Sequence, residues 1–183
     1  MLIFKARYII VFMTILLSGC VVSQINNTET KSNEAVIFGR LVITGEEEIN
    51  YRHMIAYLYS EDGSPIMAKL DKDGYFYTKA PLGRLYLERF DYIVGLKFYS
   101  ILAEYKFANI TQTDEVYYIG DINVNWSPTK ESQINKITLK VEKPMREVLP
   151  ITPLNIEIDN HTIGMLNKQF PENKKSIRIS VLE

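Results

Sequence analysis

From Ala35 onward, side chains alternate between apolar and polar along much of the chain. A period of two is the mark of half-buried strands, because successive side chains point to opposite faces. Ile37, Leu41 and Ile43 share a face with Gly39. Met54, Ala56 and Leu58 alternate with Ile55, Tyr57 and Tyr59. The stretch Leu70 to Phe76 places Asp73-Gly74 between two strands, and both residues tolerate positive φ, so a hairpin is predicted there. Pro81 and Gly83 punctuate the next turn, and Leu85 and Leu87 then alternate with Tyr86 and Glu88. Further on, Val116, Tyr118, Gly120, Ile122, Val124 and Trp126 stand at every second position. So do Ile137, Leu139 and Val141, and later Ile177, Ile179 and Val181. Many short strands joined by turn residues predict a mainly β fold, an antiparallel sandwich or barrel.

Two regions depart from this period. Gly95 to Phe107 is apolar and aromatic without clean alternation, and reads as one or two buried strands. After Pro144, Pro150 and Pro153, a helical spacing begins: Ile163, Leu166 and Phe170 stand at i, i+3 and i+7, and Pro171 ends the run. Asp159 or Asn160 would cap a short C-terminal helix; a second hairpin at Asp159-Asn160 is the alternative.

The first twenty residues concern location. Lys5 and Arg7 precede an apolar run, Tyr8 to Leu17, which is too short for a spanning helix but fits a secretory signal. The run leads through Ser18 and Gly19 to Cys20, the only cysteine. Leu17-Ser18-Gly19-Cys20 resembles the lipobox of bacterial lipoprotein precursors. The resemblance implies cleavage between Gly19 and Cys20, a diacylglyceryl group on the Cys20 sulfur, and anchorage to a membrane through that lipid. Val21 stands where an aspartate tends to hold Gram-negative lipoproteins in the inner membrane, so for a Gram-negative source the expected address is the outer membrane, periplasmic side. An ordinary signal peptide and a retained short anchor are the competing readings.

Loss of residues 1–19 leaves 19 basic against 22 acidic side chains, a net charge near −3. Nucleic acid binding wants a strongly basic face, so no nucleic acid partner is expected. Residues 21–34 are polar and read as a flexible tether of roughly 20 Å mean span. The expected organisation is a signal peptide (1–19), lipidated cysteine and tether (20–34), sandwich (35–143), and an extension packed on it (144–183). Three Asn-x-Thr triplets, beginning at Asn26, Asn109 and Asn160, read as chance in such a protein.

Gly39-Arg40-Leu41, Ala56-Tyr57-Leu58, Asp71-x-x-Gly74-x-Phe76 and Pro81-x-Gly83-x-Leu85-x-Leu87 follow one another in order. This series resembles the carboxypeptidase regulatory-like, or transthyretin-like, β-sandwich domain over roughly residues 35–92. It implies an Ig-like sandwich and an accessory role. The chain departs in having Leu85, with Tyr86 beside it, where the family has tyrosine. Tyr118 to Ile122 and Phe170-Pro171 are similar to a pattern in small bacterial lipoproteins, which implies no activity.

Chemistry is sparse. Only His53 and His161 are available as bases, no nucleophile elbow is present, and Cys20 is committed to lipid. Ligand spacing for zinc is missing. Aligning Gly74 with the sixth position of a calcium loop puts Lys69 and Ala80 at the first and twelfth, where oxygen ligands belong. No cofactor, metal or catalytic residue is therefore expected. Glu46-Glu47-Glu48 reads as a solvated turn, with a basic partner or a cation as the alternative. Tyr57, Tyr59, Tyr75, Tyr77 and Tyr86 fall on outward faces and, if clustered, would form an amphipathic patch for a partner. The expectation is a non-enzymatic, lipid-anchored sandwich making protein contacts in the envelope. The alternative is a sugar or lipid carrier with 95–107 lining its pocket.

Overall fold

A computed structural model describes residues 25–95, 97–128, 133–134 and 151–183. The expected lipobox, Leu17 to Cys20, and the alternation at Ile137, Leu139 and Val141 lie outside the described residues. The strands are β1 (Glu34–Thr44), β2 (Met54–Ser60), β3 (Pro65–Lys69), β4 (Tyr75–Pro81), β5 (Gly83–Val94), β6 (Lys97–Ile110), β7 (Glu115–Asn125), β8 (Gln133–Ile134), β9 (Ile151–Thr152), β10 (Asn155–Glu157) and β11 (Ser176–Ile179). One helix, α1 (Asn160–Gln169), lies between β10 and β11. Among the described residues, no helix is long and apolar enough to cross a membrane.

The strands form a β-sandwich. The first sheet runs β10-β7-β1-β4, with β11 also on β7; the second runs β3-β2-β5-β6-β8, with β9 also on β6. The predicted faces of β1 and β2 hold: Ile37, Leu41, Met54, Ala56 and Leu58 are fully buried between the sheets. Leu85 and Leu87 also point inward, so Tyr86 is left on the outside. Gly95 to Phe107 belongs to one long strand, β6, closed onto β5 around Gly95 at φ +61°.

The turn at Asp71–Gly74 forms as predicted, but it does not join two strands of one sheet. β3 pairs with β2 in the second sheet and β4 with β1 in the first, so the turn carries the chain across the sandwich. Asp71 Oδ1 accepts from the amides of Asp73 and Tyr75, both at 2.9 Å. Gly74 sits at φ +86°, and a Cβ there would stand 2.3 Å from the Leu41 carbonyl oxygen. Only glycine satisfies both demands.

The sheets are mixed, where an antiparallel sandwich was expected. β7 enters parallel to β1, β11 parallel to β7, and β9 parallel to β6. β5 and β6 form a hairpin in the second sheet, so the chain returns to the first sheet running in the direction of β1. The expected phase of β7 also breaks. Phe38 and Arg40 are two residues apart, while their partners Tyr118 and Asp121 are three apart. This bulge, at Gly120 with φ +108°, flips the alternation. Val116 and Tyr118 face outward, whereas Ile122 and Val124 join the inner core.

The C-terminal region is part of the sandwich, not an extension on it. Leu154 and Leu182 belong to the inter-sheet core, and β10 and β11 share one edge of β7. Glu183 exchanges both backbone hydrogen bonds with Phe107 at 3.0 Å, tying the end of the chain to the second sheet. Residues 25–34 are likewise not a free tether. Thr28 is 7% exposed, and Lys175 Nζ donates to Thr30 Oγ1 at 2.7 Å.

Candidate functional site: the aromatic outer face of the second sheet

The outer face of the first sheet carries Val36, Phe38, Tyr75, Tyr77, Val116 and Tyr118. Left bare, this surface would cost solubility; α1 covers it. Asp159 caps the helix, its Oδ1 accepting from the His161 amide at 2.8 Å, so the helix prediction holds over the hairpin alternative. Leu166 and Phe170 then lie on the sheet, and the Phe170 ring meets Tyr77 edge-on at 5.3 Å. Tyr75 and Tyr77 are therefore 3% and 2% exposed. The expected five-tyrosine patch does not form: these two point away from the inter-sheet core, as their period requires, but beneath a second layer.

α1 is packed by a buried polar latch. The bulge at Gly120 turns Asp121 outward, under the helix. Tyr118 donates to Asp121 Oδ1 at 2.6 Å, Thr162 of α1 donates to Oδ2 at 3.0 Å, and Arg40 Nη1 stands 3.9 Å from Oδ2. Tyr118 Oη in turn accepts from the Asp159 amide at 3.1 Å. Burial raises the Asp121 carboxyl above its ordinary value, outweighing the donors that favour its charge. Burial and the neighbouring carboxylate push the Tyr118 phenol up strongly. Asp121 is 4% exposed and its oxygens are occupied by chain donors, so this constellation fixes the helix.

The second sheet has the opposite fate. Tyr59, Tyr86 and Phe107 stand side by side across β2, β5 and β6 on its outer face. Tyr86 lies 6.0 Å from the Phe107 ring and 5.3 Å from Tyr105, which is 78% exposed. The Arg84 guanidinium sits 5.2 Å from the centre of the Phe107 ring. The next row is Met67, Tyr57, Arg89 and Leu102. Arg89 lies 4.0 Å above the Tyr57 ring, its Nε donates to both Asp91 oxygens at 3.1 Å, and Nη1 pairs with Glu88. Burial first, then the charge of Asp91, raises the Tyr57 phenol. This face is aromatic and half-exposed, and its central arginine is internally neutralised.

Three of the expected tyrosines, Tyr57, Tyr59 and Tyr86, thus share a face. The sequence reading missed Tyr105, Phe107, Arg84 and Arg89. The reason is a second irregularity: Leu87 and Arg89 are two apart on β5, while their partners Lys106 and Leu102 are four apart on β6. The bulge hides the alternation of that strand.

The other candidates resolve as structure. His53 Nδ1 lies 3.1 Å from the Ile93 carbonyl oxygen, and His161 occupies the first turn of α1. Glu46, Glu47 and Glu48 are exposed, in a loop held by the Glu46 amide donating to Ser127 Oγ at 3.0 Å. Among the described residues no group of three or more His, Cys, Asp or Glu is placed to hold a metal ion. A cavity of about 350 Å³ opens at the sandwich end, lined by Thr44, Asn123, Asn125 and Leu154 among others.

No known family model matches the chain, and no curated protein matches it. Among solved structures, a DUF3823 family protein from Parabacteroides merdae is similar at 18% identity with a TM-score of 0.32. The match covers 54% of this chain and 48% of the other, so this chain spans about half of that protein's length.

Proposed function

We propose that this chain is a lipid-anchored, non-enzymatic bacterial lipoprotein that displays a transthyretin-like sandwich to a protein partner in the cell envelope. Cys20 carries the lipid, after cleavage at Gly19, and the outer membrane is its place in a Gram-negative source. Two or more acyl chains make such anchoring stable. The second sheet's outer face is the contact surface. One observation carries this reading: the chain covers the aromatic outer face of one sheet with its own helix, while on the other Tyr105 is exposed and Tyr57, Tyr59, Tyr86 and Phe107 are half-exposed, with no helix over them among the described residues. Tyrosine and arginine are among the residues on which protein interfaces concentrate their energy, and tyrosine buries a large, rigid area at little entropic cost.

The test is photo-crosslinking in cells, with the crosslinker placed at Tyr105 or, on the opposite side, at Glu172. A defined envelope protein captured from position 105 and absent from position 172 supports the surface. Equal capture at both positions refutes it. Cys20→Ser should abolish membrane fractionation and the lipid mass on the N-terminus; retention of both refutes the anchor.

A second reading, a carrier of a small polar ligand such as a sugar, has one supporting observation. Asn123, which lines the end cavity, has a buried Nδ2 without a hydrogen-bond partner. The 95–107 region expected to line a pocket instead buries Tyr99 and Ile101 in the core. Calorimetric titration with neutral sugars separates the two readings, since binding lost in Asn123→Ala would favour the carrier.

A further inference from the structure

The residues just after the lipobox dictate how an anchored molecule stands. Ile25 packs into the cluster formed by the first sheet and α1. Lys79 Nζ reaches Asn27 Oδ1 at 3.5 Å, and Lys175 Nζ ties Thr30 to the Thr113 carbonyl. From Ile25 onward, then, the chain is bound to the helical side of the sandwich. Five residue steps separate Ile25 from Cys20, and they reach roughly 17 Å when fully extended. The mean 20 Å tether expected from sequence is not available. The α1 layer must stay within that short reach of the lipid, and the second sheet lies about 10 Å farther out than the first.

We infer that the α1 side of the sandwich is the surface apposed to the lipid bilayer, so that the aromatic face of the second sheet points away from it. This rests on the lipid anchor proposed above. It gives that anchor a second role: besides retention, it orients the contact face toward partners.

The experiment uses the full lipidated protein in phosphatidylethanolamine–phosphatidylglycerol vesicles that contain a headgroup-linked quencher. Lipidation consumes the Cys20 thiol, so Asn167→Cys on α1 and Tyr105→Cys on the second sheet each offer a single site for a fluorophore. Several-fold stronger quenching at 167 than at 105 is expected. Equal or reversed quenching, on protein whose mass shows lipid at Cys20, overturns the orientation and leaves the anchor standing. A mass without lipid overturns both.

Discussion

Tyr118→Phe probes the latch beneath α1. The hydroxyl makes a short hydrogen bond to Asp121 and accepts the Asp159 amide. A hydrogen bond to a charged group contributes about 1.5–3 kcal/mol. The Asp159 amide is only partly buried, so water replaces the lost acceptor at small cost. The substitution should therefore destabilise by about 2–3 kcal/mol, a fall in Tm of roughly 4–12 °C for a chain of this size. Urea denaturation of the Cys20→Ser protein would read it. Paired with Asp121→Asn in a double-mutant cycle, the two losses should fall short of adding by more than about 1 kcal/mol. The pH dependence has a definite sign. The native Asp121 carboxyl lies above its ordinary 3.8. Over the window that opens at that value, the native state binds more protons than the unfolded one, and stability falls as pH rises. Removing the Tyr118 donor raises the native value further and widens the window. The penalty should therefore be larger near pH 7 than near pH 4. A loss below about 0.5 kcal/mol, additivity with Asp121→Asn, or a penalty that grows toward acid would refute the latch.

Phe170→Ala empties a site sealed by Tyr77 and should cost about 3–5 kcal/mol, against roughly 1 kcal/mol for Phe170→Leu, both measured by thermal denaturation. Gly120→Ala forces a Cβ to within 2.5 Å of Ile156 at φ +108°. A loss of about 2 kcal/mol or more in denaturant midpoint is expected, and a neutral result would mean the bulge is not required. Tyr105→Ala should change stability by no more than about 0.5 kcal/mol. It should nonetheless remove partner crosslinking, which retention of the crosslink would contradict.

The sandwich was legible wherever alternation ran unbroken. β1, β2 and the start of β5 bury the predicted side chains, because one face of each strand meets the core. The helix was legible from its cap and spacing. Bulges were not, because one extra residue at Gly120, and the odd spacing from buried Ile101 to buried Ala108 in β6, exchange the faces of everything that follows without any change in composition. That is why Val116 and Tyr118 were read in the wrong phase, and why Tyr105 and Phe107 were passed over.

The sequence by itself determined the class of structure and, through Leu17 to Cys20, the expected address. Both rest on local properties: side-chain periodicity, turn residues and a short motif. Which tyrosines reach solvent was decided only by tertiary structure. Tyr57 and Tyr77 occupy equivalent outward positions on their strands, and nothing local separates them. The difference arises because α1, some ninety residues beyond Tyr77, folds back on the first sheet, and among the described residues no helix does so on the second. The same holds for residues 25–34, whose composition reads as a tether and whose contacts with Lys79, Thr113 and Lys175 make them part of the wall. Burial is a property of what arrives from elsewhere in the chain, and a strand's own residues carry no record of it.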